Sequence, residues 1–378
     1  MSLASRPDII SFAGGMPGND LFPVDEVEEL FRQLDRKTRQ SAFQYGPTPG
    51  LPRLLESLGG FLEKKGLPVR ENRLMITTGS QQALSLLARV FINPGDRVLT
   101  EYPCFIGAIA AFRACEADIR SLPVDDEGIE PGLLEEELRS GTLPKFLYVT
   151  PYFHNPAGIL YGTERKTMLI RALRGRDIPL IEDDAYGDLY FSDEDRKHLK
   201  PIKAMNPGGL AVCYTGSFSK ILGPGLRLGW MLLPEEIFVK CELLKQSADA
   251  CSPSFTQVIA DAFIRSGMID TYLAGVRKVY RQRAASMTEA LRRHLPGYVR
   301  WNEPKGGFYI WLVLPEGADA DAILKRAIAG GAVFVTGSTF DPEGTRNNTM
   351  RLSYCNNTDD EIEKGIPLVA DAIRAVCG

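Results

Sequence analysis

Residues 214–227 read Tyr214-Thr-Gly-Ser-Phe-Ser-Lys-Ile-Leu-Gly-Pro-Gly-Leu-Arg227, and a strand-like run, residues 210–214, leads into them. Lys220 follows that strand among small residues, where an ammonium group is poorly solvated. Desolvation lowers the pKa of a lysine and makes its amine available as a nucleophile. Arg227 stays charged and can bind a phosphate through two hydrogen bonds. The segment therefore indicates a Schiff-base lysine beside a bound phosphate, and a solvated loop lysine is the alternative.

The composition is that of an ordinary soluble globular protein, with 44% hydrophobic and 24% charged residues. A net charge of −4 argues against a protein that binds nucleic acid or a membrane surface, and no apolar run is long enough to cross a bilayer. No signal peptide is visible. Seven cysteines, none in C-x-x-C spacing, are typical of reduced thiols in a cytoplasmic protein. The histidines lie far apart, so we predict no metal site.

Strands and helices alternate over residues 73–232, which predicts an α/β domain with a mostly parallel sheet. From residue 298 onward, strands with one or two helices predict a small α+β domain. We divide the chain into an N-terminal arm and helix at 1–44, which join the small domain, a large domain at 45–284 and a C-terminal small domain at 285–378. Polar residues follow the strands of the large domain, where open sheets bind ligands.

Further helices are predicted on either side of this alternation. Apolar residues at helical spacing predict a helix over residues 23–39. Two long helices are predicted over residues 235–265 and 268–295. The last of these is long enough to link the two domains, and we interpret its arginines and lysines as a solvated face.

Two strand-exit loops of the large domain carry signals of ligand binding. Gly79-Ser80-Gln81 lies between a short apolar strand and a helix, whose free amides and positive dipole end attract an anion. Ser80 can also be a simple N-cap. Asn155 precedes a proline that holds it extended, so its side-chain amide is free to donate. Alone, this Asn-Pro-x-Gly pattern is an ordinary turn signal.

Two other strands carry charge where burial is expected. Glu182, Asp183 and Asp184 end one strand, and three adjacent acids are costly there unless they are solvated or paired with a cation. Arg351 lies inside another strand, and an inward-facing arginine needs an anion. A bound ligand and a salt bridge to an internal acid are both open as the partner of Arg351.

The N-terminal region contains two irregular segments. Gly14 and Gly15 allow the backbone to approach a ligand closely, and a flexible linker is the alternative. Tyr45 opens a loop, residues 45–50, in which two prolines and two glycines can hold it in one orientation. A plain surface tyrosine is the alternative for Tyr45.

Together these motifs occur in the order found in fold-type-I pyridoxal-phosphate enzymes, and nearly the whole chain resembles the class I/II aminotransferases. The most similar branch is the 2-aminoadipate/kynurenine aminotransferase group, on Ser11-Phe-Ala-Gly-Gly15, Gly79-Ser-Gln-Gln82, Glu182-Asp-Asp-x-Tyr186 and Gly216-Ser-Phe-Ser-Lys220. The resemblance implies an α/β fold of the PLP-transferase type I. In that fold, a large domain with a mostly parallel seven-stranded sheet flanked by helices carries a smaller α+β domain.

The resemblance also implies a role for each motif residue. Lys220, Asp183 and Tyr186 are expected to be catalytic, with Lys220 holding the cofactor as a Schiff base and Asp183 pairing with the pyridinium nitrogen. The residues expected to bind pyridoxal phosphate are Tyr45, Gly79, Ser80, Gln81, Phe105, Asn155, Asp183, Tyr186, Ser217, Ser219, Lys220 and Arg227. Those expected to bind the substrate are Gly15, Asn155 and Arg351.

Within that set, the family's pattern gives more specific expectations. Phe105 stacks on the cofactor ring, at a position where the family more often has tyrosine. Asn155 and Tyr186 bond the phenolic oxygen, and Arg351 holds the substrate α-carboxylate. Tyr45 reaches the phosphate in the other subunit of a homodimer.

The implied function is amino-group transfer from an L-α-amino acid of the 2-aminoadipate, aromatic/kynurenine or branched-chain type to a 2-oxo acid, with 2-oxoglutarate as the expected acceptor. Two alternatives remain open. The same scaffold supports lyase or decarboxylase chemistry on the same cofactor. A non-catalytic module that senses amino acids, like the aminotransferase-like half of certain transcription regulators, is disfavoured because no basic helix-turn-helix segment precedes residue 45.

Overall fold

A computed structural model describes residues 8–206 and 208–378. The predicted arm starts at residue 1, so its first seven residues lie outside the described part of the chain. The described strands are β1 (Ile10–Ser11), β2 (Arg73–Thr77), β3 (Arg97–Tyr102), β4 (Asp118–Asp125), β5 (Gly128–Ile129), β6 (Leu147–Val149), β7 (Leu180–Asp184), β8 (Val212–Ser217), β9 (Gly229–Leu233), β10 (Arg300–Trp301), β11 (Tyr309–Val313), β12 (Ala332–Val333), β13 (Val335–Thr336) and β14 (Thr349–Ser353).

The α-helices occupy most of the intervening chain. The described helices are α1 (Val24–Gln33), α2 (Arg36–Ser41), α3 (Pro52–Lys64), α4 (Ser80–Phe91), α5 (Ile106–Arg113), α6 (Pro131–Arg139), α7 (Thr163–Leu173), α8 (Ile202–Met205), α9 (Glu235–Asp249), α10 (Ser254–Arg265), α11 (Met268–His294), α12 (Ala320–Gly330) and α13 (Asp359–Cys377).

The large sheet has the strand order β2-β9-β8-β7-β6-β3-β4-β5. The pairings from β8 through β7, β6 and β3 to β4 are parallel, whereas β9 runs antiparallel to both of its neighbours. Parallel strands end at the same edge of a sheet, so the residues after β6, β7 and β8 meet there. Thr77 at the end of β2 joins this edge, because Thr77 and Ser217 both pair with Gly229. The predicted α/β architecture is confirmed.

The predicted number of strands is wrong by one. The resemblance implied seven strands in the large sheet, and eight are formed by the described residues. After β4 the chain turns back at once, and the two-residue β5 pairs antiparallel with it through Val124↔Ile129. Six of the eight strands have a clear apolar pattern in the sequence. β4 and β5, the last two strands at one side of the sheet, have no such pattern. β4 alternates buried and exposed residues, and β5 has only two residues.

Two helices predicted as continuous are each divided in two. The helix predicted over residues 23–39 breaks before Asp35, whose carboxylate accepts the Thr38 N–H at 3.0 Å and begins α2 as its N-cap. The helix predicted over residues 235–265 ends at Asp249. Ala250 has a positive φ of 59°, and Pro253, which cannot continue a helix, precedes α10. The predicted helix after residue 268 is present as α11.

The N-terminal arm packs on the C-terminal region. β1 pairs parallel with β12, and the Phe12 N–H donates to Val333 O at 2.8 Å. Phe12 itself is fully buried, and a Cβ on Gly365 would lie 2.6 Å from its ring. Ser353 N–H donates to Phe12 O at 2.8 Å, so residues 13–15 run beside the end of β14. The arm is thereby held next to the strand that carries Arg351.

The C-terminal region has a sheet of its own, with the order β10-β11-β14-β13 and antiparallel pairing throughout. α11 runs past both parts of the molecule. Its residues up to Tyr280 belong to the core that includes Trp230, and its residues from Ala284 onward belong to the core beneath α12 and α13. The change of core lies close to the predicted boundary at 284/285. The boundaries at 44/45 and 284/285 themselves stay predictions.

Candidate active site

A cavity of about 330 Å³ opens at the carboxyl-end edge of the large sheet. Strand ends, the N-terminal ends of α4 and α5, and the strands β11 and β14 contribute to its wall. The lining residues are Ser80, Gln81, Phe105, Ile106, Thr150, Asn155, Asp183, Ala185, Tyr186, Ser217, Ser219, Lys220, Pro224, Arg227, Tyr309 and Arg351. The structure thus brings most of the predicted site residues into one cavity.

Three predicted residues are not part of this lining. Gly15 lies behind Tyr309, and a Cβ on it would overlap the Tyr309 hydroxyl. Gly79 precedes α4 with a positive φ of 76°, and a Cβ on it would lie 2.8 Å from a guanidinium nitrogen of Arg227. Both glycines therefore allow a close approach beside the cavity. Tyr45 is separate from it, with 85% of its surface exposed.

Lys220 projects into the cavity from the turn that follows β8. Its Nζ donates to Gly15 O at 2.6 Å. The pKa of Lys220 is lowered to about 8, mainly because burial disfavours the charged amine; Cys355 opposes this shift, and the positive charges of Arg351 and Arg227 contribute to it. The amine is therefore much closer to its neutral, nucleophilic form at physiological pH than a solvated lysine is.

Asp183 is buried at the end of β7, between two neutral hydroxyl groups. Tyr148 Oη and Thr215 Oγ1 each donate to its carboxylate at 2.9 Å. The pKa of Asp183 is raised to about 6, mainly because burial disfavours the carboxylate; the two hydrogen bonds oppose this rise, and the charges of Asp184 and Glu101 contribute to it. Within the described residues its hydrogen-bond partners include no cation.

The neighbouring acids have partners elsewhere. Glu182 accepts the Tyr152 hydroxyl at 2.6 Å and the Lys203 N–H at 2.9 Å. Asp184 accepts the Tyr214 hydroxyl at 2.6 Å. Successive side chains of a strand point to opposite faces, so of these three acids Asp183 is the one that lines the cavity. A larger cleft of about 540 Å³ beside Asp184 contains none of the predicted site residues.

One end of the cavity is suited to an anion. Ser80 begins α4, so the unpaired N–H groups of the first helical turn face this end. Arg227 lies beside them, and within the described chain its guanidinium donates to Pro224 O at 3.2 Å and contacts no carboxylate. Ser217 and Ser219 complete this part of the wall.

The opposite end is formed around Arg351, which is buried in β14. Its Nη1 donates to Asn155 Oδ1 at 2.8 Å and its Nη2 donates to Ala13 O at 2.6 Å, while its buried Nε has no partner. The guanidinium carbon lies 4.3 Å from the Tyr309 ring centroid. The partners of Arg351 among the described residues are thus neutral oxygens, so the internal salt bridge that the sequence left open is not what satisfies it. Among the described residues, the contact of the Asn155 side chain is made through Oδ1, which accepts from Arg351, and the donating role of its amide stays a prediction.

A buried carboxylate fixes the loop that carries Asn155. Glu101, at the end of β3, accepts the Thr150 N–H and the Thr150 hydroxyl, both at 2.8 Å, and also the Tyr161 hydroxyl. His154 Nε2 lies 3.0 Å from the same carboxylate. These contacts tie the exit of β6 to β3 behind the cavity.

Sequence reasoning missed Tyr148, Thr150, Thr215 and Tyr309. Thr215 lies inside the segment 214–227, but its role depends on the strand register that pairs it with Asp183. The sequence does not show that register. Tyr309 had a usable signal. It follows Gly306-Gly307, where Gly307 has a positive φ of 70° and a Cβ on Gly306 would lie 2.6 Å from Leu189 O. Such a glycine pair indicates a close backbone approach.

These features fit pyridoxal phosphate. The α4 N-terminus with Arg227 suits a phosphate. Asp183, a buried acid with only neutral partners in the described chain, suits the protonated ring nitrogen, and the Lys220 amine suits the aldehyde. Within the described residues, no group of three His, Cys, Asp or Glu side chains is placed to hold a metal ion. Nor does that part of the chain contain a helix both long and apolar enough to cross a membrane.

Known proteins resemble the chain over nearly its whole length. Residues 7–367 match the family model of aminotransferase class I and II. Aromatic-amino-acid aminotransferase 1 of Thermococcus litoralis is 38% identical, over 99% of this chain and 90% of that protein. The 2-aminoadipate transaminase of Thermus thermophilus is 37% identical, over 100% of this chain and 93% of that protein.

A solved structure that resembles this chain is also that of an aminotransferase. Kynurenine aminotransferase of Pyrococcus horikoshii, in complex with PMP, superposes with a TM-score of 0.95 at 39% identity, covering 99% of this chain and 93% of that one. The chain therefore belongs to the class I and II aminotransferases, and it is a pyridoxal-phosphate-dependent enzyme of fold type I that moves an amino group from an amino acid to a 2-oxo acid.

Proposed function

We propose that this enzyme takes the amino group of an L-α-amino acid of the 2-aminoadipate, aromatic/kynurenine or branched-chain type and delivers it to 2-oxoglutarate. The observation that carries the proposal is that one cavity is lined by the Lys220 amine, the buried acid Asp183 and the buried guanidinium of Arg351. The names of the relatives from Thermococcus litoralis, Thermus thermophilus and Pyrococcus horikoshii support the choice of donors.

In this proposal the anion end holds the cofactor phosphate. Arg227, Ser217 and Ser219 bind it together with the first amides of α4, where the helix dipole adds to the attraction. With the cofactor bound, Phe105 would contact its ring, and Asn155 and Tyr186 would donate to its phenolic oxygen. Asp183 would accept from the ring nitrogen and keep it protonated, which its position between two neutral hydroxyl donors permits.

The substrate end then binds the amino acid. Arg351 holds the α-carboxylate in a fork, and Gly15 and Asn155 complete the contacts around it. When bound, the cofactor supplies an electron sink for the bond that breaks at the substrate Cα. Lys220 Nζ removes the proton from Cα, and the lowered pKa of Lys220 keeps enough of the amine unprotonated for this task.

A donor panel tests the function. With 2-oxoglutarate as acceptor, we expect glutamate to form from at least one of 2-aminoadipate, kynurenine, phenylalanine and leucine. Its kcat/KM should be at least about tenfold above that for alanine, because a filled side-chain pocket is worth more than about 1 kcal/mol. Glutamate is measured by chromatography, and Lys220→Ala is the matched inactive control. Release of carbon dioxide or an elimination product without glutamate would favour the lyase or decarboxylase alternative.

The reactivity of Lys220 should depend on pH. In cofactor-free protein, the rate at which an amine reagent labels Lys220 should reach half its maximum near pH 8, because below that pH the amine is protonated and unreactive. Mass spectrometry of the labelled peptide measures this rate. A half-maximum near pH 10, where a solvated lysine titrates, would contradict the buried position of Lys220.

Asp183 and Asp184 form a matched pair of variants. Asp183→Asn should lower turnover by roughly ten- to a hundredfold, since a charge-assisted hydrogen bond is worth about 1.5–3 kcal/mol. Asp184→Asn should have a much smaller effect on turnover, because Asp184 bonds Tyr214 away from the cavity. Steady-state kinetics of both holoenzymes measure the two effects. The reverse ranking would show that Asp184 is the residue that faces the ring.

We further propose a homodimer with shared active sites. Tyr45 is too exposed to be part of the site of its own chain. Phe43, two positions before Tyr45, belongs to an apolar patch with Phe31 and Phe255; Phe43 is 80% exposed, and its ring centroid lies 6.0 Å from that of Phe255. Aromatic side chains exposed in this way are typical of a protein–protein interface, and a second copy would bring Tyr45 to the phosphate of its partner.

Mixed dimers test the shared site. Chains with Lys220→Ala and chains with Tyr45→Ala are combined and allowed to exchange. If each site takes Lys220 from one chain and Tyr45 from the other, a mixed dimer has one intact site, and activity should approach about a quarter of wild type. Activity no higher than the mean of the two parent variants would show that Tyr45 acts within its own chain.

We also propose a cytoplasmic location. All seven cysteines lie in the described part of the chain and none forms a disulfide. Unpaired thiols at this number are typical of a reducing compartment. The buried thiols of Cys104, Cys213 and Cys241 have pKa values raised by burial, which keeps them protonated and unreactive.

A further inference from the structure

Tyr309 connects several of the predicted site residues. Its side chain touches Tyr186, Arg351 and Gly15, and Gly15 O in turn accepts from Lys220 Nζ at 2.6 Å. It is only 2% exposed, so these contacts are made in the interior.

The ring and the backbone of Tyr309 are fixed independently of its hydroxyl. The Arg351 guanidinium carbon lies over the ring face, 4.3 Å from the centroid. The rings of Tyr186 and Phe308 pack edge-on, at centroid distances of 5.8 Å and 6.1 Å. A Cβ on Gly158 would lie 2.7 Å from Tyr309 O, so the loop after Asn155 packs closely against the backbone of Tyr309. A phenylalanine in this place would keep every one of these contacts.

The hydroxyl therefore needs a separate explanation. It lies 3.0 Å from the Tyr186 hydroxyl, which is the hydrogen bond that the structure gives it. Burial raises the pKa of both tyrosines, so both are neutral phenols that carry a hydrogen. The charged or titratable groups around the pair include Arg351 and Cys355, which act on the pKa of both tyrosines, and Lys220, whose Nζ lies 6.0 Å from the Tyr186 ring centroid.

Counting hydrogens defines what the pair can do. Each phenol has one hydrogen, and one of the two is used in the bond between them. When Tyr309 donates, the Tyr186 hydrogen is free for another acceptor, and Tyr186 becomes the stronger donor because its oxygen accepts a bond. When Tyr186 donates instead, it has no hydrogen left for a ligand in the cavity.

We propose that Tyr309 is a positioning residue whose hydroxyl donates to Tyr186 Oη and so directs the Tyr186 hydrogen into the cavity, toward the phenolic oxygen of the cofactor. The inference rests on the proposed function, in which Tyr186 bonds that oxygen. Tyr309 thereby sets how strongly Tyr186 stabilises the deprotonated form of the bound cofactor. Gly15 contributes to this arrangement, because a side chain at position 15 would displace the Tyr309 hydroxyl.

The test follows the visible absorption of the holoenzyme as a function of pH. A donor to the phenolic oxygen favours the deprotonated cofactor and lowers the midpoint of the absorption change. Tyr186→Phe should raise the midpoint by about one unit, and Tyr309→Phe should raise it by roughly half a unit. The double variant should match Tyr186→Phe alone, because Tyr309 acts through Tyr186. The KM for the amino donor should change less than about twofold in Tyr309→Phe, since the ring beneath Arg351 is kept.

Tyr354→Phe is the matched control, because its buried hydroxyl donates to Gly306 O at 3.0 Å outside the cavity. It should leave the midpoint in place. An unchanged midpoint in Tyr309→Phe, an equal shift in the Tyr186→Phe background, or an equal shift in Tyr354→Phe would each overturn the proposal. Borohydride reduction and peptide mapping of the wild-type protein distinguish a failure of the proposed function from a failure of the role proposed for Tyr309. An adduct on a lysine other than Lys220 would overturn the proposed function, and the role of Tyr309 with it.

Discussion

Parallel pairing of β6, β7 and β8 is the constraint on which the site depends. The ladder pairs Val149 with Glu182 and Asp183 with Thr215, so the three strands stop at nearly the same height. Asn155, Asp183 and Lys220 lie at or shortly after those ends, while Ser80 and Phe105 follow β2 and β3 at the same edge. Asn155, Asp183 and Lys220 are far apart in the chain, and backbone hydrogen bonds rather than side-chain contacts bring them together.

The second requirement is that the buried charged side chains of the cavity form no salt bridge with other described residues. Buried ionic groups are usually paired, because an unpaired charge costs free energy in the interior. Here Arg351 is satisfied by neutral oxygens and Asp183 by neutral hydroxyls. A fold with apolar side chains packed on both faces of its large sheet can tolerate that cost. The result is a cavity that binds charged ligands without first breaking an internal salt bridge.

Much of this could be predicted from the sequence, where the signal is local. Lys220, Asn155 and Asp183 each follow an apolar strand, and a strand end is visible in sequence. What could not be predicted depends on register or on distant packing. Thr215 needs the pairing of β7 with β8, and the hydroxyl contact of Tyr309 with Tyr186 joins residues 123 positions apart. The sequence also contains a signal for each of the two helix breaks, because Asp35 can cap a helix and Pro253 cannot continue one. The continuous helices predicted there do not take these two signals into account.

The attachment of the N-terminal arm has a consequence for the order of folding. The cavity residues from Ser80 to Arg227 lie in one continuous stretch of chain and can assemble as the large sheet forms. The end of the cavity around Arg351 cannot, because Arg351 Nη2 is held by Ala13 O, 338 residues away in the chain. Contacts of such separation form late, since the closure entropy of a long loop must be overcome first. We therefore expect a newly made chain to form the part of the cavity at the strand ends before the part around Arg351 is complete.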